Sequence, residues 1–322
     1  MNKRAIASRV GQLLLASFLA VGSLSCSSGR QITSYKPVKK MELNFDCVDV
    51  DVGKSLESFL TIPLMINDSL SYEFILDSGF PNHLAVPGGV KFDIGSKGYV
   101  RVNAVFDEAK EKGFSQIPLQ SQDFHGLGGG RPTSLLGMGV LEKVILRIDE
   151  KNNIVSFYNP QYFSEAEVLS ETRANYRISE AVHIPVSYAN RRLAFEATFG
   201  AGETGEEGKF NGVFYFDTGT QGIILNSNST KFQSFANKCG CWKAKPVEGM
   251  PSGVKTPTYF GCKFSGIKIG DKVISNASFN GAAYDLSSEV GGIVGRDIFS
   301  DWKVYTLIPG SDGKTGKIVL QR

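Results

Sequence analysis

Beyond residue 40 the apolar residues fall in short runs that alternate with polar ones or stand unbroken between turn formers, a pattern of strands rather than helices. Residues 42–52 alternate like a half-buried strand. Residues 60–66 and 72–76 are apolar runs parted by Asn67, Asp68 and Ser69, and 84–86 is another. Residues 93–102 read as a hairpin whose tip is 95–98, bounded by two glycines. Residues 140–144 suit one or two helical turns, followed by a hairpin of 145–148 and 154–157. The chain ends in the same order, with 298–302, 304–308 and 317–320. Between the halves, 164–181 is polar, and alternation resumes at 182–186, which places a boundary there. Residues 200–212 make a charged, Gly-rich loop inside a hairpin, read as a solvated tip. The expected class is all-β with little helix.

Two of these runs end in the same phrase. Phe74-Ile75-Leu76-Asp77-Ser78-Gly79 and Phe214-Tyr215-Phe216-Asp217-Thr218-Gly219 each close a strand on Asp, a small hydroxyl residue and Gly. Each is followed by an apolar-apolar-Gly segment, Leu135-Leu136-Gly137 and Ile293-Val294-Gly295. The pairing of phrases makes an internal repeat the starting point.

Composition fits a β-rich globule: 42% hydrophobic, 21% charged, with 36 Gly for turns and 22 Phe for a core. The net charge of +3 comes from scattered basic residues, so no nucleic-acid partner is expected. The first 26 residues differ from the rest. Lys3, Arg4 and Arg9 precede an apolar stretch at 13–24, too short to span a bilayer, and Ser23-Leu24-Ser25 leads to Cys26. This resembles a bacterial lipoprotein signal with Cys26 as the lipidated residue; Ser23 stands where such signals carry Leu, which keeps a plain secretory signal as the alternative. Residues 27–40 then read as a flexible tether off a membrane surface. The expected location is the cell envelope, on an outer membrane or periplasmic face, or else secreted or soluble in the periplasm. In that oxidising setting the remaining cysteines, Cys47, Cys239, Cys241 and Cys262, invite disulfides. The single residue between Cys239 and Cys241 favours partners in Cys47 and Cys262 over closure within the tripeptide; connectivity stays open. Cys-x-Cys with one further Cys and no nearby His is poor zinc spacing, so no metal and no cofactor are expected.

The doubled Asp-Ser/Thr-Gly phrase, with its two apolar-apolar-Gly segments, resembles the retropepsin-like and pepsin-like aspartic proteases. The resemblance covers most of the chain beyond residue 42. It implies two β-barrel lobes with pseudo-twofold symmetry and a cleft between them, over residues 41–165 and 166–322, working as a monomer. The 60 positions from Asp77 to Gly137 match a small retroviral-type lobe, whereas the 78 from Asp217 to Gly295 imply an enlarged second one. It further implies that Asp77 and Asp217 are the catalytic pair, supported by Ser78, Gly79, Thr218, Gly219 and Thr220, with Ser78 and Thr218 bonding across the interface. Flaps are expected at 93–102 and 249–253, the latter equally readable as a surface turn. Phe80, Tyr99, Gly137 and Gly295 are the candidate cleft residues. Phe80 departs from the family, which has Ala, Ser or Thr there, and is expected either to line a pocket or to block one.

Two carboxylates about 3 Å apart repel by on the order of 5 kcal/mol at an effective dielectric near 20. Their proton losses therefore separate, and over a wide pH window the pair shares one proton. One carboxylate can then take a proton from water while its partner donates to the developing oxyanion. Which aspartate is the base is open. Competing chemistries find little support: the histidines His83, His125 and His183 form no zinc motif, and no G-x-S-x-G occurs. Two readings remain, a lipid-anchored endopeptidase acting on an extended peptide or protein and an inactive relative that binds a peptide or other ligand in the same cleft. Phe80 and the uncertain flaps motivate the second.

Overall fold

The computed structural model describes residues 40–52, 59–67, 70–87, 99–106, 111–121, 134–200, 209–220, 222–243, 258–286 and 290–322. The signal with Cys26, the tether up to residue 39, residues 93–98 of the first flap with its tip at 95–98, the loop at 201–208 and the second flap at 249–253 lie outside the described residues.

Strands dominate. In the first half they are β1 (Glu42–Leu43), β2 (Cys47–Asp51), β3 (Thr61–Ile66), β4 (Leu70–Asp77), β5 (Leu84–Val86), β6 (Tyr99–Val105), β7 (Gly113–Ser121) and β8 (Ser134–Gly137). A helical turn, Met138–Leu141, leads to β9 (Ile145–Asp149) and β10 (Ile154–Tyr158). After a helix at Glu165–Tyr176 come β11 (Ala181–Ala189), β12 (Arg192–Phe199), β13 (Phe210–Asp217) and β14 (Ile223–Asn226). A short helix, Phe232–Lys238, precedes β15 (Trp242–Lys243), β16 (Tyr259–Ile269), β17 (Lys272–Tyr284) and β18 (Gly292–Gly295). A 3-10 turn at Arg296–Phe299 leads to β19 (Val304–Pro309) and β20 (Thr315–Gln321).

The pairing reproduces itself in the two halves. In the first, the order β7-β5-β8-β4-β3-β6 closes when β6 bonds back to β7, making a six-stranded barrel. In the second, β16-β17-β14-β18-β13-β12 closes when β12 bonds to β16. Six of the remaining strands, β2-β10-β9-β19-β20-β11, form an antiparallel platform whose middle pair is β9 and β19, joined at Leu146↔Leu307, Arg147↔Thr306 and Ile148↔Tyr305. Three strands from each half meet there, so a twofold relation runs through the platform and both barrels.

Alternation explains how the strands fill these barrels. Phe74 and Leu76 of β4 point into the main core and Ile75 into a smaller cluster; Phe214, Phe216 and Tyr215 of β13 divide in the same way. Phe45, Phe106, Phe114 and Phe157 meet largely edge to face, with centroids 5.2–6.0 Å apart. Each buried Phe contributes roughly 1.5–3 kcal/mol.

Three local expectations change. Residues 42–52 form two strands with a break at 44–46, because β1 pairs with β7 of the barrel while β2 pairs with β10 of the platform. The polar stretch after β10 is helical: Ser164 caps it, accepting from Glu167 N–H at 3.3 Å while the Glu167 carboxylate accepts from Ser164 N–H at 2.7 Å. Arg147, nearly buried, ties that helix to the platform through Glu171 at 2.9 Å and Ser156 at 2.9 Å, beneath the Tyr158 and Tyr176 rings. The disulfide joins Cys241 to Cys262, and Cys47 and Cys239 take no part in it. Cys47 sits in β2 at one edge of the 13-stranded sheet, whereas β15 and β16 lie at the other. Burial, then the Asp49 and Glu171 charges, push the Cys47 thiol up to about 11, which keeps it unreactive.

Candidate active site

Each Asp-Ser/Thr-Gly phrase hangs between two strands that fix its position. β4 runs parallel to β8 with Asp77 opposite Gly137, and β13 runs parallel to β18 with Asp217 opposite Gly295. Gly137 N–H donates to the His83 carbonyl at 2.7 Å, and Gly295 N–H to the Gly222 carbonyl at 2.8 Å. Both glycines are buried. At Gly137 a Cβ would lie 2.5 Å from the Phe80 carbonyl and from the Phe80 ring.

The loops lock together across the interface. Ser78 N–H donates to Thr218 Oγ1 at 3.0 Å, and Thr218 N–H to Ser78 Oγ at 2.9 Å. Each hydroxyl donates onward across the same interface, Ser78 to the Phe216 carbonyl at 3.0 Å and Thr218 to the Leu76 carbonyl at 2.8 Å. Four bonds thus use every polar group of the two hydroxyl residues on the partner loop except their carbonyls.

Asp77 and Asp217 meet above this lock, 3% and 0% exposed. Asp217 Oδ1 accepts from Gly219 N–H at 2.8 Å and from Gly79 N–H, across the interface, at 3.3 Å, while its Oδ2 accepts from the Thr220 hydroxyl at 2.7 Å. Asp77 Oδ1 accepts from Phe80 N–H at 2.8 Å. Burial first, then the Asp217 charge and a hydrogen bond to that carboxylate, hold the Asp77 carboxyl well above the usual range. The glycines are where the loops approach closest: a Cβ on Gly79 would lie 2.5 Å from Asp217 Oδ2, and one on Gly219 2.9 Å from Asp77 Cγ. The arrangement can hold one proton between two buried carboxyls and pass it to and from a bound molecule.

No family model and no curated protein matches the sequence. Among solved structures, the chain is similar to an aspartic proteinase from Irpex lacteus, with a TM-score of 0.52 over 85% of this chain and 97% of that one, at 10% identity. The fold is that of a two-lobed aspartic proteinase.

The other expected site residues fall in different places. Phe80 is turned into a buried apolar cluster. It is 1% exposed and packs with Phe59, Ile75, Ala85 and Leu135 on the flank of the first barrel. An apolar ring next to the loop gains more from that cluster than from an aqueous cleft. Tyr99 begins β6 opposite Gln120 of β7. His83 is half-buried, and burial first, then the charge of Arg191, lower its pKa to about 4, so it is neutral above that pH. Arg192, which no sequence pattern singled out, reaches this site: its Nε donates to the Gly79 carbonyl at 2.8 Å from the opposite lobe. Its only trace in the sequence is a charge at the start of the strand, ahead of the apolar run Leu193-Ala194-Phe195.

Proposed function

We propose that this chain is an aspartic endopeptidase, exported and lipid-anchored through Cys26, that hydrolyses peptide bonds with a water activated by Asp77 and Asp217. The observation that carries the reading is the pair of buried carboxyls facing one another across locked loops. Asp77 is the acid: its burial and the neighbouring charge keep its proton in place. Asp217 is the base: its carboxylate accepts from Gly79 N–H, Gly219 N–H and the Thr220 hydroxyl, which hold it in one orientation. Asp217 takes a proton from water as that water attacks the scissile carbonyl, while Asp77 gives its proton to the carbonyl oxygen. Collapse of the tetrahedral species transfers a proton to the leaving nitrogen and restores the shared-proton state.

Thr220 and Phe80 occupy equivalent places after the two phrases, and their difference sets the direction of this transfer. A hydroxyl supports Asp217 where Asp77 has no side-chain hydroxyl at the matching position. The bulk of Phe80, a reason to expect a cleft used for binding alone, lies in the barrel flank instead. Export and anchoring rest on the basic start, the apolar stretch and Cys26. The test uses the protein from residue 27 onward, without lipid, on a diverse peptide mixture read by mass spectrometry beside Asp77→Asn and Asp217→Asn. New peptide termini are expected from the wild type alone; the same termini from either variant would contradict the mechanism.

A further inference from the structure

Arg192 opens β12, whose pairing with β13 runs to Leu193↔Phe216, so it begins level with Asp217 at the end of the neighbouring strand. Its guanidinium crosses to the first lobe, where Nε donates to the Gly79 carbonyl at 2.8 Å. Gly79 N–H itself donates to Asp217 at 3.3 Å, so the positive charge stands one residue from the dyad. The Arg192 Cζ lies over the Tyr215 ring, 5.6 Å from its centroid. Tyr215 precedes Asp217 by two positions and so shares its face of β13. The whole residue is 8% exposed, and Nη2 is buried with no hydrogen-bond partner.

A guanidinium has five donors and a fixed charge, and burying part of it unpaired costs free energy unless something repays it. Among the described residues Arg192 forms no ion pair. One carbonyl and an aromatic ring leave its charge uncompensated. The missing partner is an anion with planar geometry, and a carboxylate matches it.

We infer that Arg192 is a specificity-determining residue that takes a substrate carboxylate beside the scissile bond, making the chain selective for peptides with Asp or Glu flanking that bond. The inference rests on the peptidase reading of the dyad. Arg192 does not touch the reacting atoms; it binds the neighbouring residue and, through Gly79, positions the loop that carries Asp77. The carboxylate has two sources, an acidic side chain or a free chain terminus, and both present the same two oxygens to the guanidinium.

Matched peptides differing only by Glu or Gln at each position flanking a cleaved bond, with free or amidated C-termini, separate these cases. The wild type should cleave the Glu peptide with kcat/KM roughly ten- to hundredfold above the Gln peptide. In Arg192→Met the ratio should fall to within about twofold, with Arg192→Lys retaining part of it. A role limited to clamping Gly79 would lower both peptides by one factor and leave the ratio intact, which would overturn the proposal, as would equal cleavage by the wild type. Preference that follows the free terminus instead of Glu assigns the same Arg192 contact to the terminal carboxylate. Calorimetric titration of both peptides into Asp217→Asn, with and without Arg192→Met, reads recognition without turnover. Tighter binding of the Glu peptide that vanishes in the double variant supports Arg192 even where no cleavage is found; equal binding overturns it even where the dyad proves active.

Discussion

Asp77 shows how one residue's surroundings become a property of the whole protein. Its carboxyl is held above the ordinary range by burial and by Asp217. The folded state therefore keeps a proton that the unfolded chain loses near pH 4. Its contribution is fully present below that pH and is lost as pH rises through the folded-state value, since ionising Asp77 in place sets it against Asp217. Asp77→Asn removes the titration. The difference in thermal midpoint, variant minus wild type, should grow from pH 4 towards neutrality; a difference independent of pH would contradict the assignment of the proton to Asp77. At this scale the pairing of the two aspartates was legible in the sequence, because the phrase of an aspartate followed by a small hydroxyl residue and a glycine stands here twice. Phe80 and Arg192 were not. Phe80 packs in a cluster that draws in Phe59 and Leu135, and Arg192 bonds to a loop 113 positions away.

The elements divide along the same line. Strands were readable from short apolar runs between turn formers, as at β3, β4, β9 and β10, where most positions are buried. The helix at Glu165–Tyr176 was hidden by its polarity: few of its residues face the platform, so it lacks an apolar stripe. Its signal was the cap, Ser164 followed by Glu167, and the helix depends on it. Ser164→Ala should cost about 1 kcal/mol, seen as a thermal midpoint lowered by roughly 2–4 °C. An unchanged midpoint would mean that Arg147 and its two rings hold the helix without the cap. The disulfide likewise follows from element positions, since β2 and β16 lie too far apart across the sheet for Cys47 to join Cys262.

At the scale of the whole molecule, two barrels repeat one pairing plan and share a platform whose central strands, β9 and β19, come from different halves. The doubled phrases implied the two lobes, but not the platform: strand partners separated by more than 100 residues, such as Ile148 and Tyr305, leave no local trace. This architecture gives the dyad its chemistry, because neither lobe alone brings a second carboxylate to the first. The central claim is that Asp77 and Asp217 act as one unit sharing one proton. The direct measurement is kcat/KM against pH for the wild type on a peptide that it cleaves, from about pH 3 to pH 8, beside Asp77→Asn and Asp217→Asn. A shared proton predicts a profile with an acid and an alkaline limb, the alkaline limb above the ordinary carboxylate range of about 4, and no turnover in either variant. A rate that rises with pH to a plateau, or cleavage that survives the loss of one aspartate, would contradict it.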